Sequence, residues 1–337
     1  MKKYLAIDVG GTKIHIALFS INETAQLHFQ REKKYKSQEV QSLEEIILDF
    51  SPEMNDIKGI SIAIAGPVIN DEVQLTNVSW KVEKQQIIKV TGVANVYLLN
   101  DLEASAVGIP FLPDSDMLKI FKAEKTMAGN IAIIAPGTGL GEAAMYWDGK
   151  EYHPFATEGG HCDFSPRDKT DINLLMFLQH KYGHVSWERL VSGQGIANIF
   201  DFLRTSSDYN LETELEAKLL KGDVAANLSK AAIEGKEVAL ETMKLFVRYL
   251  AIESSNMALK FKSTGGLFIG GGIIPKIWND NYRILFLKYF FEVGRLEPLL
   301  RCMNVTIILN PSSVLFGAAH YMISKNKSII SESQSKK

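Results

Sequence analysis

Two glycine-rich turns of the same design constrain this 337-residue chain more than any other feature. The first reads Asp8-Val9-Gly10-Gly11-Thr12-Lys13, between β-type apolar runs at 4–7 and 14–19. The second reads Gly137-Thr138-Gly139-Leu140-Gly141, between runs at 131–135 and 143–147. Each predicts strand, tight turn, strand. Glycine lets backbone N–H groups converge on an anion with no Cβ in the way. Two such turns suit two parts of one polyphosphate. The spacing excludes a P-loop, which needs G-x-x-x-x-G-K-[ST] opening a helix, and a dinucleotide fingerprint, which needs G-x-G-x-x-G between strand and helix. Either copy alone is explained as well or better by a plain hairpin, because Gly-Gly is a common turn pair. The Asp8 carboxyl and the Thr12 and Thr138 hydroxyls add chemistry that a plain hairpin does not need.

The length suits two domains. A hydrophobic content of 46% provides for a sizeable core, and a net charge of −2 gives no footing for nucleic acid or an anionic membrane. No apolar run approaches a membrane span, and the N-terminus enters a strand pattern at once, without a signal-peptide core. Two cysteines, Cys162 and Cys302, do not make a disulfide framework, so the expected setting is a reducing cytoplasm.

Periodicity predicts strands at 4–9, 14–19, 27–35, 60–65 and 96–99, with helices at 42–50 and 85–91. Ser42 followed by Glu45 forms a capping box for the first of these helices. A second strand set starts at Ile131, followed by helices at 171–182, 195–204 and 238–261, strands at 267–269 and 305–309, and a last helix at 313–323. In 238–261, Leu245, Tyr249 and Ile252 share one face, while Glu241, Lys244 and Arg248 share a polar one. The halves agree in element order, not in residue identity. The expected organisation is a small α/β domain from 1–111 plus 311–324, a large α/β domain from 112–310, a cleft between them, and a disordered Ser/Lys-rich tail at 325–337.

Several constellations carry possible chemistry. Asn100-Asp101 ends a strand, where α/β sheets bind ligands, but the pair equally suits a helix cap. Glu158-Gly159-Gly160-His161 sets an acid and an imidazole around two glycines in a loop; a backbone-bonded histidine is the plainer account. Glu188, after Ser186, reads by itself as a first-turn acid complementing a helix dipole. Trp80, after Thr76-Asn77-Val78-Ser79, reads as core. Gly270-Gly271-Gly272 after a buried strand suits close packing on a flat ligand, or a simple turn.

Taken together, these motifs resemble the bacterial-type glucokinase family of the sugar kinase, Hsp70 and actin superfamily. The resemblance rests on Asp8-Val9-Gly10-Gly11-Thr12, Leu99-Asn100-Asp101, Pro136-Gly137-Thr138-Gly139-Leu140-Gly141, Glu158-Gly159-Gly160-His161-Cys162-Asp163-Phe164, His184-Val185-Ser186-Trp187-Glu188-Arg189 with Ser192-Gly193, and Phe268-Ile269-Gly270-Gly271-Gly272-Ile273. It covers the chain except the tail. It implies two actin-like (ribonuclease H-like) α/β domains flanking a catalytic cleft, and ATP-dependent phosphorylation of D-glucose at the 6-hydroxyl.

The resemblance also implies residue roles. Asp101 is the general base. Asn77, Asn100, Glu158, His161 and Glu188 bind the sugar. Gly10, Gly11 and Thr12, with Gly137, Thr138 and Gly139, clip the ATP phosphates. Asp8 holds Mg²⁺ through water, and Gly271 and Gly272 lie against the nucleoside. A homodimer is further implied. Lys13 replaces the asparagine often found after the first turn and is similar to the related ROK kinases there. The ROK zinc motif is absent, so His161 is expected to meet sugar, and Cys162 is expected to pack. A kinase for another hexose or an N-acetylhexosamine is the nearest rival. A sugar-sensing repressor would need a DNA-binding helix-turn-helix, and an actin-like ATPase has no use for the Asn100-Asp101 and Glu158/His161 pairs.

Overall fold

The computed structural model describes residues 2–22, 27–51, 53–75, 80–205 and 213–335. The chain divides into two compact units, Met1–Pro113 with Asn310–Lys337, and Asp114–Leu309.

The first unit holds β1 (Lys2–Val9), β2 (Lys13–Ile21), β3 (Leu27–Lys36), α1 (Leu43–Phe50), β4 (Ile57–Ile64), the ribbon of β5 (Glu72–Gln74) and β6 (Lys81–Glu83), α2 (Lys84–Thr91), β7 (Val96–Asn100), α3 (Asp101–Gly108) and α12 (Ser313–Ser335). The sheet order is β3-β2-β1-β4-β7. β1 runs antiparallel to β2 and parallel to β4, which is parallel to β7. Alternation along β1 and β2 separates two faces. Leu5, Ile7, Ile14 and Ile16 pack with Leu43, Ile46, Ile47 and Phe50 of α1. Ala6, Ala17 and Ala63 on the opposite face meet Ala104 of α3 and Leu315, Ala318 and Ala319 of α12. Small residues there let α3 and α12 lie close: a Cβ on Gly317 would strike the Ala104 carbonyl. The edge strand β3 is almost wholly exposed and charged, which blunts strand-to-strand association. Ser42 caps α1 by accepting the Glu45 N–H at 3.2 Å, and the Glu45 carboxylate accepts the N–H of Gln41 rather than that of Ser42.

The second unit holds β8 (Met117–Phe121), β9 (Ile131–Pro136), β10 (Leu140–Trp147), β11 (Tyr152–Thr157), α4 (Lys169–Tyr182), α5 (Gly193–Thr205), α6 (Thr213–Leu219), α7 (Val224–Ile233), α8 (Glu237–Lys260), β12 (Gly266–Ile269), α9 (Ile274–Ile277), α10 (Asp280–Phe290), α11 (Glu297–Leu300) and β13 (Val305–Ile308). Its sheet order is β11-β10-β9-β12-β13-β8. β9 pairs antiparallel with β10 across the second glycine turn and parallel with β12, the same opening as in the first unit. Helix α8 is the core of this unit, with Phe246, Tyr249 and Leu250 fully buried. Each such side chain contributes about 1.5–3 kcal/mol of burial free energy.

Three expectations change. Arg248, assigned to the polar face of α8, is buried: Asp168 and Asp171 accept from its guanidinium at 2.7 and 2.9 Å, and this pairing makes burial of the charge tolerable. The backbone continues helical to Ser335, past the break expected at 324; buried Ala318, Ala319, Met322 and Ile323 anchor the turns that seed it. Strands β5, β6, β8 and β11 and helices α6, α7, α9, α10 and α11 were not foreseen; the strands and the helices α9 and α11 are short, and the apolar residues of β8 and β11 are half exposed. No helix among the described residues is long and apolar enough to cross a membrane.

Candidate active site

In the first unit the Gly10-Gly11-Thr12 turn is closed by Gly10 N–H donating to the Lys13 carbonyl at 3.0 Å. Ser37, buried at the end of β3, fixes it from outside. The Ser37 hydroxyl donates to the Gly10 carbonyl at 2.8 Å, and its N–H donates to the Thr12 carbonyl at 3.1 Å. The carbonyls are thus turned to Ser37, while no described acceptor takes the N–H of Gly11 or Thr12. That is the polarity an anion site needs.

β1 carries Asp8 toward the same turn, and β7 delivers Asn100 and Asp101 to the start of α3. Asn100 is the N-cap of α3: its Oδ1 accepts from the N–H groups of Leu102 and Glu103 at 2.9 and 3.3 Å. One amide N–H goes to the Gly66 carbonyl at 3.2 Å, leaving Asn100 a single side-chain donor for a ligand. Asp101 opens the helix, where the dipole favours negative charge, and its Oδ1 also accepts from the Leu102 N–H at 2.9 Å. Burial, and then the nearby Asp101 charge, push the Asp8 carboxyl up to about 7. Two neighbouring carboxyls, one of them buried, offer hard-oxygen donors of the kind Mg²⁺ takes.

In the second unit the Gly137 N–H donates to the Gly139 carbonyl at 2.8 Å, and Gly193 N–H donates to the Gly137 carbonyl at 2.9 Å. Gly193 thus donates to a turn carbonyl as Ser37 does in the first turn, while here a carboxylate accepts an N–H beside the turn. Glu188 Oε2 accepts the Leu140 N–H at 2.9 Å, and a Cβ on Gly139 would run into that same oxygen. Glu188 lies on a single 3₁₀ turn, Trp187–Arg189, held by buried Trp187 against Phe164. The Gly159–His161 turn packs onto the same strand start, because a Cβ on Gly160 would strike the Leu140 carbonyl. The Cys162 carbonyl accepts the Trp187 N–H at 3.0 Å, tying the two turns together. The second unit therefore gathers Gly137, Thr138, Gly139, Glu158, His161 and Glu188 around the start of β10. Glu158 and His161 are exposed, and among the described residues neither side chain is engaged by another. At Gly271, φ +82°, a Cβ would strike the Pro136 carbonyl that leads into the glycine turn, while a Cβ on Gly272 would meet open space.

Asn77 lies outside the described residues. Trp80 packs against the first unit's core. Cys162, expected to pack, is an exposed free thiol, because its main chain rather than its side chain makes the loop's ties. The one metal-type grouping among the described residues, Asp148, Glu151 and His153, sits on the exposed tip between β10 and β11. There Asp148 already accepts the N–H groups of Lys150 and Glu151. Sequence reasoning missed Glu142. It is buried in β10, and burial followed by the charge of Glu253 pushes its carboxyl up to about 8. The available signal was a lone acid between Gly141 and the apolar run Ala143-Ala144-Met145.

The α/β architecture is that of the actin-like sugar kinases. A glucokinase structure from an Antarctic psychrotroph superposes with a TM-score of 0.80 at 26% identity, covering 96% of this chain and 99% of that one. A ROK family glucokinase from Streptomyces griseus, in complex with glucose and AMPPNP, shares the fold with a TM-score of 0.62 at 20% identity, over 94% of this chain and 98% of its own. The sequence model of the glucokinase family matches residues 5–325. A glucokinase of Synechocystis sp. is 37% identical over 344 aligned residues, covering 94% of this chain and 96% of the relative. The chain belongs to the glucokinase family.

Proposed function

We propose that this protein transfers the γ-phosphoryl group of ATP to the 6-hydroxyl of D-glucose, with Asp101 as the general base. The observation that carries the reading is the first turn of α3, where Asp101 stands beside Asp8 and the anion-ready Gly10-Gly11-Thr12 turn. Phosphoryl transfer requires little more than positioning, charge neutralisation and a base for the acceptor hydroxyl. The first unit supplies the base, the acid that would hold Mg²⁺ through water, and one phosphate turn. When bound, Mg²⁺ would neutralise charge developing on the phosphates. Asp101 takes the proton of the sugar hydroxyl, and Asn100 donates its remaining N–H to a sugar oxygen. The second unit supplies the other phosphate turn, Gly137-Thr138-Gly139, with Gly271 and Gly272 for the nucleoside. Glu158, His161 and Glu188 pair with sugar hydroxyls, a donor and acceptor set that rejects analogues lacking one. Support for glucose and ATP comes from the relatives' names and from the glucose and AMPPNP complex of the Streptomyces griseus protein.

A coupled assay of ADP release on glucose, mannose, fructose and N-acetylmannosamine tests the reading. Glucose is expected to give the highest kcat/KM, and an inert glucose sinks it. We also propose a homodimer working in a reducing cytoplasm; light scattering after gel filtration at twice the chain mass is the expected result, and a single chain mass removes the dimer.

A further inference from the structure

Beneath the 158–161 loop lies a buried acid that none of the proposed steps uses. Glu142 is 2% exposed, and no described group bonds its Oε1. Its Oε2 lies against Gly159, so close that a Cβ there would collide with it. Its main chain is tied to the same loop: the Thr157 hydroxyl donates to the Glu142 carbonyl at 3.1 Å and accepts the Gly159 N–H at 3.2 Å. Two charged groups face the carboxyl, Glu253 and Lys260, both on α8. Glu253 is itself buried and accepts from Asn256 at 2.8 Å and Lys260 at 3.3 Å. The strand neighbours opposite Glu142, Ile134 and Thr157, bring no titratable group.

We propose that Glu142 is a positioning residue for the sugar loop, and that its protonation state sets how well Glu158 and His161 hold the sugar. The inference rests on the sugar-binding reading of those two residues. As a neutral acid, Glu142 is a close-fitting floor for Gly159. Ionisation places an unpaired charge in the core beside Glu253, a state that favours admitting water or displacing whatever seals the site. The seal is Gly159. Because no described side chain holds Glu158 or His161, their placement rests on the backbone ties of the loop and on the Glu142 floor beneath Gly159. Burial and the Glu253 charge put this transition about pH 8 rather than in the usual carboxylate range.

The test is equilibrium binding of glucose, read by tryptophan fluorescence without nucleotide, together with KM and kcat, from about pH 6.5 to about pH 9.5. Wild type should lose affinity above the transition, up to about tenfold per pH unit, with kcat changing much less. Glu142→Gln should bind as wild type does at neutral pH and keep that affinity at high pH. If the amide does not fold, Glu142→Met keeps the volume, cannot ionise, and is read the same way. A flat wild-type profile overturns the proposal. So does an alkaline loss that persists without the Glu142 carboxyl, including one that disappears instead in Cys162→Ser, which assigns it to the neighbouring thiol. Failure to bind glucose at neutral pH refutes the glucose reading alone, and the profile is then taken with the panel hexose that wild type does bind.

Discussion

The two glycine turns share a sequence plan and differ in what holds them. Gly10-Gly11-Thr12 is fixed by a neutral serine, and its neighbourhood is acidic: burial, and then the Asp101 charge, raise the cost of ionising Asp8. Gly137-Thr138-Gly139 is fixed by a carboxylate, Glu188, which the family resemblance also assigns to the sugar. The first turn thus separates its bracing from its chemistry. The second runs both through one side chain. On the proposed roles, a change at Glu188 disturbs both the sugar contact and the second turn, while a change of bracing in the first should leave the chemistry standing.

Asp101→Asn tests the chemical side most severely. Its kcat should fall by ~10²–10⁴ while glucose binding stays within about an order of magnitude. Near-normal turnover would remove Asp101 as the base and with it the division between the units. Next in size, Glu188→Ala should raise KM for both ATP and glucose, by roughly tenfold or more each, because one carboxylate serves both. Glu158→Gln should raise KM for glucose alone, and a matching rise for ATP would mean that the loop, not Glu188, carries the linkage. Ser37→Ala is expected to cost about 1 kcal/mol of stability and to raise KM for ATP a few-fold with kcat retained. A kcat loss as large as that of Asp101→Asn would break the contrast between bracing and chemistry.

The smallest effect is a stability difference. The Glu142 carboxyl titrates higher in the folded protein than in the unfolded chain, so the folded state binds more protons between about pH 4.5 and about pH 8. Its contribution to stability is therefore full below that window and lost as pH rises through it. Thermal unfolding of Glu142→Gln should gain on wild type as pH rises from 5 to about 8, and a constant offset would place the Glu142 titration elsewhere.

Much of the site was legible because it is local. The turns follow from glycine spacing between apolar runs, the Ser42 cap from its distance to Glu45, and the Asn100 cap from an Asn-Asp pair at a strand end. The cap also limits the sugar role expected for Asn100, since both acceptor positions are spent on α3. Glu188 was readable only as a first-turn acid until the resemblance supplied a role, because its partner Leu140 is far away in the chain. Strand β11 was missed because its Tyr-His-Pro-Phe-Ala-Thr run has neither alternation nor a continuous apolar stretch.

The sequence by itself determined the strand–turn–strand frames, the excluded nucleotide motifs, and the set of acids and imidazoles available to a sugar and a polyphosphate. These depend on backbone preferences within a few residues. Only the tertiary structure decided which groups brace the turns and which carboxyls are raised by burial and neighbouring charge. Desolvation and charge–charge repulsion act through space, so Asp8 is raised by burial and by Asp101 from the end of a strand distant in the chain, and Glu142 by burial and by Glu253 from a helix on another part of the chain. Neither pairing leaves a mark in the local spacing of residues.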